Sequence, residues 1–184
     1  MRILTALLVM LALVGCGSGE NSLQQGMALR DKLLANSCSF QAEIVADYGN
    51  ETYTFRMGCT VDPQGTMKFV VLAPESISGI TGNIKSGNGY LTFDEAVLTF
   101  PLLAEGEVTP VSAPWLLIYT LQGGYLVSAG MAGENTILTL RDSYKEGALQ
   151  LDVSLDGNQL PQSAEIFWQG RRVLSVRIDD FTFV

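Results

Sequence analysis

Paired carboxylates are the residues of this sequence whose types and spacing could perform chemistry, because a carboxylic acid beside a carboxylate can donate and accept a proton. The sequence offers three candidate pairs, which are Asp94-Glu95, Glu105/Glu107 and Asp179-Asp180. Each pair lies in polar or turn-like surroundings, where water solvates both groups and neither is tuned for proton transfer. We therefore interpret these pairs as solvated edges of the fold rather than as an acid/base site.

Histidine is absent from the 184 residues, which removes most nucleophilic and zinc chemistry. Ser-His-Asp and Cys-His catalysis both require an imidazole, and zinc sites use it as a common ligand. The sequence also has no glycine-rich phosphate loop, no metal-ligand spacing and no nucleophile elbow. These observations predict a protein that is not an enzyme and that holds neither a cofactor nor a metal.

Cys16 is the residue whose surroundings predict a covalent modification. Met1-Arg2 is a short basic start, and residues 3–14 are apolar apart from Thr5. This run is too short to span a bilayer, which needs roughly 20 apolar residues, but it fits the apolar core of a signal peptide. Leu13-Val14-Gly15-Cys16 then resembles the lipobox of bacterial lipoproteins. The resemblance implies cleavage before Cys16, diacylglycerol on its sulfur and a fatty acyl chain such as palmitate on its amine. The alternative is an ordinary secretory signal followed by a chance cysteine.

The chain divides into three parts at this cysteine. Residues 1–15 are the predicted signal peptide, residues 16–22 a lipidated cysteine with a flexible, small and polar tether, and residues 23–184 a single domain. The formal net charge of −8 argues against nucleic acid as a partner and against docking of the protein body on anionic lipids. We therefore expect the membrane contact to be covalent, through Cys16, on the extracytoplasmic side. The interpretation favours the cell membrane over an outer membrane.

The two remaining cysteines lie in a predicted β-hairpin. Two alternating runs between residues 40 and 61 flank a turn, which we interpret as a two-residue loop at Tyr48-Gly49. In that register opposed residue numbers sum to 97, one face of the pair is apolar, and Cys38 lies opposite Cys59. Because an exported protein can keep a disulfide, this placement predicts a Cys38–Cys59 bond. Two buried free thiols are the alternative.

Hydrophobic periodicity predicts about nine strands and two helices. Residues 23–36 have helical spacing with Ser22 as N-cap, and residues 115–121 form a short apolar helix with Pro114 in its first turn. A buried strand is the rival interpretation of residues 115–121. The strands beyond the first hairpin are predicted at 67–72, 76–85, 90–100, 125–131, 136–141, 149–155, 163–169 and 172–179. The predicted fold is mostly β, a strongly curved antiparallel sheet forming an unclosed barrel, with both helices covering its concave face.

The order of these elements and three local patterns resemble the outer-membrane lipoprotein carrier superfamily, the LolA/LolB-like proteins. The patterns are Ser39-Phe40-Gln41-Ala42 after the first helix, Ala73-Pro74-Glu75-Ser76-Ile77-Ser78-Gly79, and Leu160-Pro161-Gln162-Ser163-Ala164-Glu165-Ile166. The resemblance implies a bent, unclosed barrel whose concave apolar face receives the acyl chains of lipids or lipoproteins. Lipidation at Cys16 fits the acceptor type of that superfamily, whereas the soluble carrier is not lipidated.

Two functions follow from the resemblance. In the first, the protein binds lipid or lipoprotein acyl chains as a carrier or acceptor. In the second, it is a non-enzymatic lipoprotein partner or regulator of a cell-envelope enzyme, and its own apolar helix fills the cavity. For the first function, the expected lining of the ligand site is Phe55, Phe69, Val71, Trp115, Leu116, Ile118, Leu149, Leu151 and Val153. The free volume of the concave face discriminates between the two.

Overall fold

A computed structural model gives the fold of the chain. It describes residues 17–47, 49, 51–85, 88–93, 96–101, 103–104 and 107–184. Over these residues the protein is mostly β, with one antiparallel sheet of eleven strands, a two-stranded ribbon and two α-helices. This architecture confirms the predicted fold class. The signal peptide and Cys16 lie outside the described residues.

The described part of the chain contains two α-helices and thirteen strands. The helices are α1 (Gly17–Ala35) and α2 (Ala113–Gly123), and two 3-10 turns cover Glu75–Ile77 and Pro110–Ser112. The strands are β1 (Cys38–Asp47), β2 (Thr52–Val61), β3 (Met67–Ala73), β4 (Thr81–Lys85), β5 (Asn88–Phe93), β6 (Ala96–Pro101), β7 (Leu103–Ala104), β8 (Glu107–Val108), β9 (Tyr125–Ala132), β10 (Asn135–Arg141), β11 (Gln150–Leu155), β12 (Pro161–Trp168) and β13 (Arg171–Phe183). Strands β7 and β8 form the separate ribbon.

The large sheet has the order β6-β5-β4-β3-β2-β1-β13-β12-β11-β10-β9. Within the described chain its edge strands β6 and β9 are not paired with each other, so the barrel is unclosed. Helix α2 packs against β2, β10 and β13 at once. In a flat sheet β2 and β10 would be about 24 Å apart, whereas an 11-residue helix is only about 16 Å long. The sheet therefore curves around α2, which lies on its concave face.

Alternation along the strands sends apolar side chains to the concave face. In β1 every second residue from Cys38 to Ala46 is buried, and β11 repeats the pattern with Leu151, Val153 and Leu155. Helix α1 closes one end of this core, because it packs against β9, β10 and α2. Its buried side carries Leu29 and Leu33. The core is thus a sheet interior with two helices laid upon it.

The predicted register of the first hairpin is wrong by two residues. Opposed residue numbers in β1 and β2 sum to 99, so Cys38 lies opposite Val61, and Phe40 lies opposite Cys59. The connection spans residues 48–51 rather than the two-residue loop predicted at Tyr48-Gly49, of which Tyr48 is not described. A shift of two preserves which side chains point inward, because side chains alternate with period two. The predicted apolar and polar faces are therefore correct although the pairing is not.

Helix α1 begins earlier than predicted. The sequence placed its N-cap at Ser22, after a flexible tether, but the helix begins at Gly17 and Ser22 is buried within it. Small polar residues have weak helix propensity, and here tertiary packing overrides it. Gly19 lies beside the backbone of Ala129 in β9, where a Cβ would make an ordinary van der Waals contact with the Ala129 carbonyl oxygen at 3.8 Å.

The predicted strands at 76–85 and 90–100 are also revised. The first begins only at Thr81, because residues 75–77 form a 3-10 turn. The second is divided into β5 and β6, which form their own antiparallel hairpin. The sequence therefore predicted one strand too few at this end of the sheet, and β6 becomes its edge.

Candidate functional site: the concave face

Helix α2 covers the middle of the concave face. Pro114 fits its first turn, where no intrahelical donor is needed, and the N–H of Gly124 ends the helix by donating to the Thr120 carbonyl at 2.7 Å. The helix is apolar on nearly all sides, as expected for a buried helix. Leu117 and Ile118 have no exposed surface. The helical interpretation of residues 115–121 is therefore confirmed over the rival strand.

Three side chains form the hydrogen bonds that connect α2 to the rest of the fold. The indole Nε1 of Trp115 donates to the carbonyl of Gly65 in the β2–β3 turn at 2.8 Å. The amide of Gln122 donates to the Leu33 carbonyl at the end of α1 at 3.1 Å. The third is Arg30, which bridges the two helices. These bonds hold α2 in one position over the sheet.

Arg30 is the polar clamp between the helices. From α1 its Nε donates to the Leu121 carbonyl at 2.8 Å, and its Nη2 donates to the Gly124 carbonyl at 2.6 Å. Carbonyls at the C-terminal end of a helix lack intrahelical hydrogen-bond partners, and they carry the negative end of the helix dipole. A guanidinium at this position donates hydrogen bonds to the carbonyls, and its positive charge interacts favourably with the dipole. The positive charge of Arg30 thus lies at the junction of the two helices, and none of the ion pairs among the described residues gives it a carboxylate partner.

Beyond α2 the concave face continues towards the β6 edge. Directly opposed residues of antiparallel strands share a face, so the registers trace one row across six strands. The row runs through Phe40, Cys59, Phe69, Gly82, Leu91 and Leu98. Exposure rises along it: Phe69 is 5% exposed, Leu91 is half-buried, and Leu98 is 61% exposed although it faces inward. Among the residues that the structure describes, the apolar face is thus covered in its middle and open at the β5–β6 end.

Gly82 shapes this open end. The ring of Phe69 lies over it, and a Cβ on Gly82 would stand 2.5 Å from the Phe69 Cζ, closer than real Cβ contacts. Glycine therefore lets the Phe69 ring lie against β4. The result is an apolar floor between Phe69 and Leu91.

The predicted lining residues fall into two groups. Leu149, Leu151 and Val153 are buried in the core, as are Trp115, Leu116 and Ile118 of α2. Phe69 and Val71 of β3 and the half-buried Phe55 of β2 lie on the strands between α2 and the open end. The sequence analysis missed Leu91 and Leu98. Pairing the predicted hairpin around residues 86–89 and extending its faces from Phe69 would have found Leu91. It would not have found Leu98, because in a single strand over residues 90–100 the two side chains point to opposite faces.

Cys38 and Cys59 are both buried free thiols on the apolar face of adjacent strands. They are offset by two residues rather than directly opposed, so the pairing that motivated the disulfide is wrong. Burial raises the pKa of the Cys38 thiol from 9.0 to about 12, against a smaller lowering by a backbone hydrogen bond from Val61. Burial, and next the nearby Cys38, also raise the pKa of Cys59. The disulfide stays a prediction.

The carboxylates form no constellation in the part of the chain that the structure describes. Asp179 and Asp180 are exposed, Asp179 lies 3.6 Å from Arg177, and Asp180 accepts from Gln41 at 3.2 Å. Asp94, Glu95 and Glu105 lie outside the described residues. Among those described, no three His, Cys, Asp or Glu side chains group as metal ligands, and no helix combines the length and apolarity needed to cross a membrane.

Comparison with known proteins places this fold beside other solved structures. A LolA superfamily protein from Nitrosomonas europaea is 11% identical, with 86% of this chain and 93% of that chain covered and a TM-score of 0.47. LprF from Mycobacterium bovis is 9% identical, with 90% and 95% covered and a TM-score of 0.44. The superfamily that the sequence resembles is thus among the similar structures.

A third similar structure is that of the CwlD amidase from Clostridioides difficile in complex with the GerS lipoprotein. It is 14% identical, covers 81% of this chain and 87% of that chain, and has a TM-score of 0.46. No family model and no curated protein matches the chain. At these identities and scores, the function of the chain has to be inferred from its own residues.

Proposed function

We propose that this protein is a lipid-anchored extracytoplasmic lipoprotein that binds an acyl chain on the open end of its concave face, as a carrier or acceptor. The binding site is the apolar floor formed by Phe69, Gly82, Leu91 and Leu98. It adjoins Val71 on β3 and Phe55 on β2. No bond is made or broken in this function, which suits a chain whose described residues form no catalytic constellation.

The observation that carries the proposal is the exposure of Leu98. A side chain in register with the core row belongs among buried residues, yet Leu98 is 61% exposed. Exposed apolar surface continuous with a core is typical of an interaction site, and we assign it here to an apolar ligand. An alkyl chain laid along the row from Phe69 to Leu98 would cross three strand spacings, roughly 14 Å.

The energetics favour an alkyl ligand of ordinary length. Each methylene that leaves water contributes about 0.8 kcal/mol, so ten methylenes along the row would contribute roughly 8 kcal/mol before the costs of association. Those costs consume much of this gain. The affinity is therefore expected to be moderate, as a protein that receives and releases a ligand requires.

The anchor is the second part of the proposal. Cleavage before Cys16 and lipidation of its thiol would hold the domain at the extracytoplasmic surface of the cell membrane. More than one acyl chain is needed for durable attachment, and the lipobox pattern implies such multiple acylation. An anchored acceptor would receive acyl chains directly at the surface where they are delivered.

Leu98 and Val97 provide a matched test. The two are adjacent in β6 and similarly exposed, at 61% and 64%, but Leu98 shares the concave face and Val97 points to the opposite face. Leu98→Gln should weaken binding of a fluorescent fatty acid by roughly tenfold, because a polar amide replaces about 1.4 kcal/mol of apolar contact. Val97→Gln should leave binding unchanged. Equal effects of the two variants, with both folded, would contradict the proposed site.

The alternative, a partner or regulator of an envelope enzyme, draws on one observation. The region beneath α2 is filled by the protein's own Leu117 and Ile118, which leaves no room for a ligand at those side chains. If the wild-type chain bound no fatty acid and co-purified with an envelope enzyme, the alternative would be favoured.

A further inference from the structure

Helix α1 carries a second apolar surface that does not face the core. Leu23, Met27 and Leu34 are spaced so that all three lie within about 40° around the helix axis. We call these three residues the apolar stripe. They are between 45% and 50% exposed.

The stripe is distinct from the buried side of the helix. Leu29 and Leu33 face the sheet and are almost fully buried, and Gly26 packs against the side chain of Leu138. Helix α1 is therefore apolar on its buried side and again along one flank. The core accounts for the first surface and leaves the stripe in contact with water.

The start of α1 identifies what can cover the stripe. The described helix extends back to Gly17, the residue directly after Cys16 in the sequence, so an anchor at Cys16 would lie beside its first turn. With a rise of 1.5 Å per residue, Leu23 lies about 9 Å and Leu34 about 26 Å along the helix from that point. A helix anchored at its first turn is within reach of the bilayer along its whole length, and tethering raises the effective concentration of that surface.

The charges beside the stripe specify the kind of lipid surface. Glu20 and Asp31 are exposed on α1 within about 80° of Leu23 around the helix axis, whereas the exposed Lys32 lies on the opposite side of the helix. The guanidinium of Arg30 is turned towards the carbonyls of Leu121 and Gly124. The chain as a whole has a formal net charge of −8. Such a helix lacks the basic flank that anionic membranes attract. The stripe therefore fits a zwitterionic lipid surface.

We propose that the apolar stripe of Leu23, Met27 and Leu34 lies in the interface of a zwitterionic lipid bilayer, so that α1 rests along the membrane and fixes the orientation of the domain. The proposal rests on the anchoring at Cys16 proposed above. The membrane contact then has two parts, a covalent anchor and a helix flank. This goes beyond the expectation from net charge, in which the anchor was the sole contact.

Labelling of introduced cysteines with a water-soluble maleimide tests the proposal. The full-length chain is produced in bacteria, checked for incorporated palmitate and reconstituted in phosphatidylcholine vesicles. Met27→Cys places the thiol on the stripe. Ala28→Cys is the matched control, because Ala28 is also exposed but lies about 100° away from Met27 around the helix axis, outside the stripe. Native Cys38 and Cys59 are buried and give only a slow background.

Met27→Cys should react roughly tenfold more slowly on vesicles than in the Cys16→Ser chain without its signal peptide, whereas Ala28→Cys should react equally fast in both. Equal rates for Met27→Cys on a chain that carries palmitate would overturn the stripe proposal and leave the anchor intact. A chain without palmitate would overturn both. Protection of Met27→Cys in the soluble chain that increases with protein concentration would assign the stripe to a second copy and overturn the lipid assignment.

Discussion

Replacing Arg30 with methionine tests how the two helices are held together. Arg30→Met keeps an aliphatic stem of similar length but removes both donors to the carbonyls of Leu121 and Gly124. Hydrogen bonds from a charged group contribute about 1.5–3 kcal/mol each when removed, and partial access of water to this site lowers the sum. The helix-dipole interaction adds about 0.5 kcal/mol. We therefore expect the free energy of unfolding to fall by about 2–3 kcal/mol.

Thermal and urea unfolding of the Cys16→Ser chain without its signal peptide measures this loss. For a domain of this size it corresponds to a fall in Tm of roughly 5–10 °C. Lys32→Met is the control, because Lys32 is an exposed base in the last turn of the same helix, and its replacement should change stability by no more than about 0.5 kcal/mol. Equal losses in the two variants would refute the clamp, since they would show that the effect comes from removing a positive charge from α1 and not from the two carbonyl bonds.

Two further predictions concern the cysteines. Cys16→Ser should release the protein from membranes or leave it unprocessed. Palmitate labelling combined with membrane fractionation measures this. A Cys16→Ser variant that stays membrane-bound and labelled with palmitate would disprove the anchor. Under reducing conditions the free energy of unfolding should fall as pH rises from 9 to about 12, because the unfolded chain loses its thiol protons above 9.0 while the folded chain keeps that of Cys38 until about 12. Cys38→Ala should reduce that fall and leave the part that comes from Cys59, whose pKa burial also raises. A chain that shows the fall only after reduction would carry the predicted Cys38–Cys59 bond.

The sequence was sufficient to predict the faces of the strands but not all of their pairings. Alternation in β1 and β11 identified the buried side chains, because a period of two is a property of the strand itself. The pairing of β1 with β2 depends in addition on the length of the connection at residues 48–51, which local composition does not determine. The predicted register, in which opposed residue numbers sum to 97 instead of the observed 99, is wrong only because the length of this connection was wrong.

The site was predicted only in part for a related reason. Trp115 and Ile118 were correctly placed in an apolar helix on the concave face, and their chemistry suggested a ligand lining. Whether such residues line a cavity or fill one depends on how far the sheet curves around the helix, which arises from long-range packing. Leu98 was missed because its strand was joined to β5 in the prediction, and its inward position follows only from the registers of four successive strands.

Side chains in the first hairpin alternate between the two faces of the sheet, and this has a consequence for insertions and deletions in its connection. Lengthening or shortening the connection at residues 48–51 by two residues allows β1 and β2 to slide by one full side-chain repeat, and the apolar set still points inward. A change of one residue favours a slip that would turn Phe40, Ala42 and Ile44 to the solvent side of the sheet. Among variants of this loop that remain folded, insertions or deletions of an even number of residues should therefore be more frequent than those of an odd number.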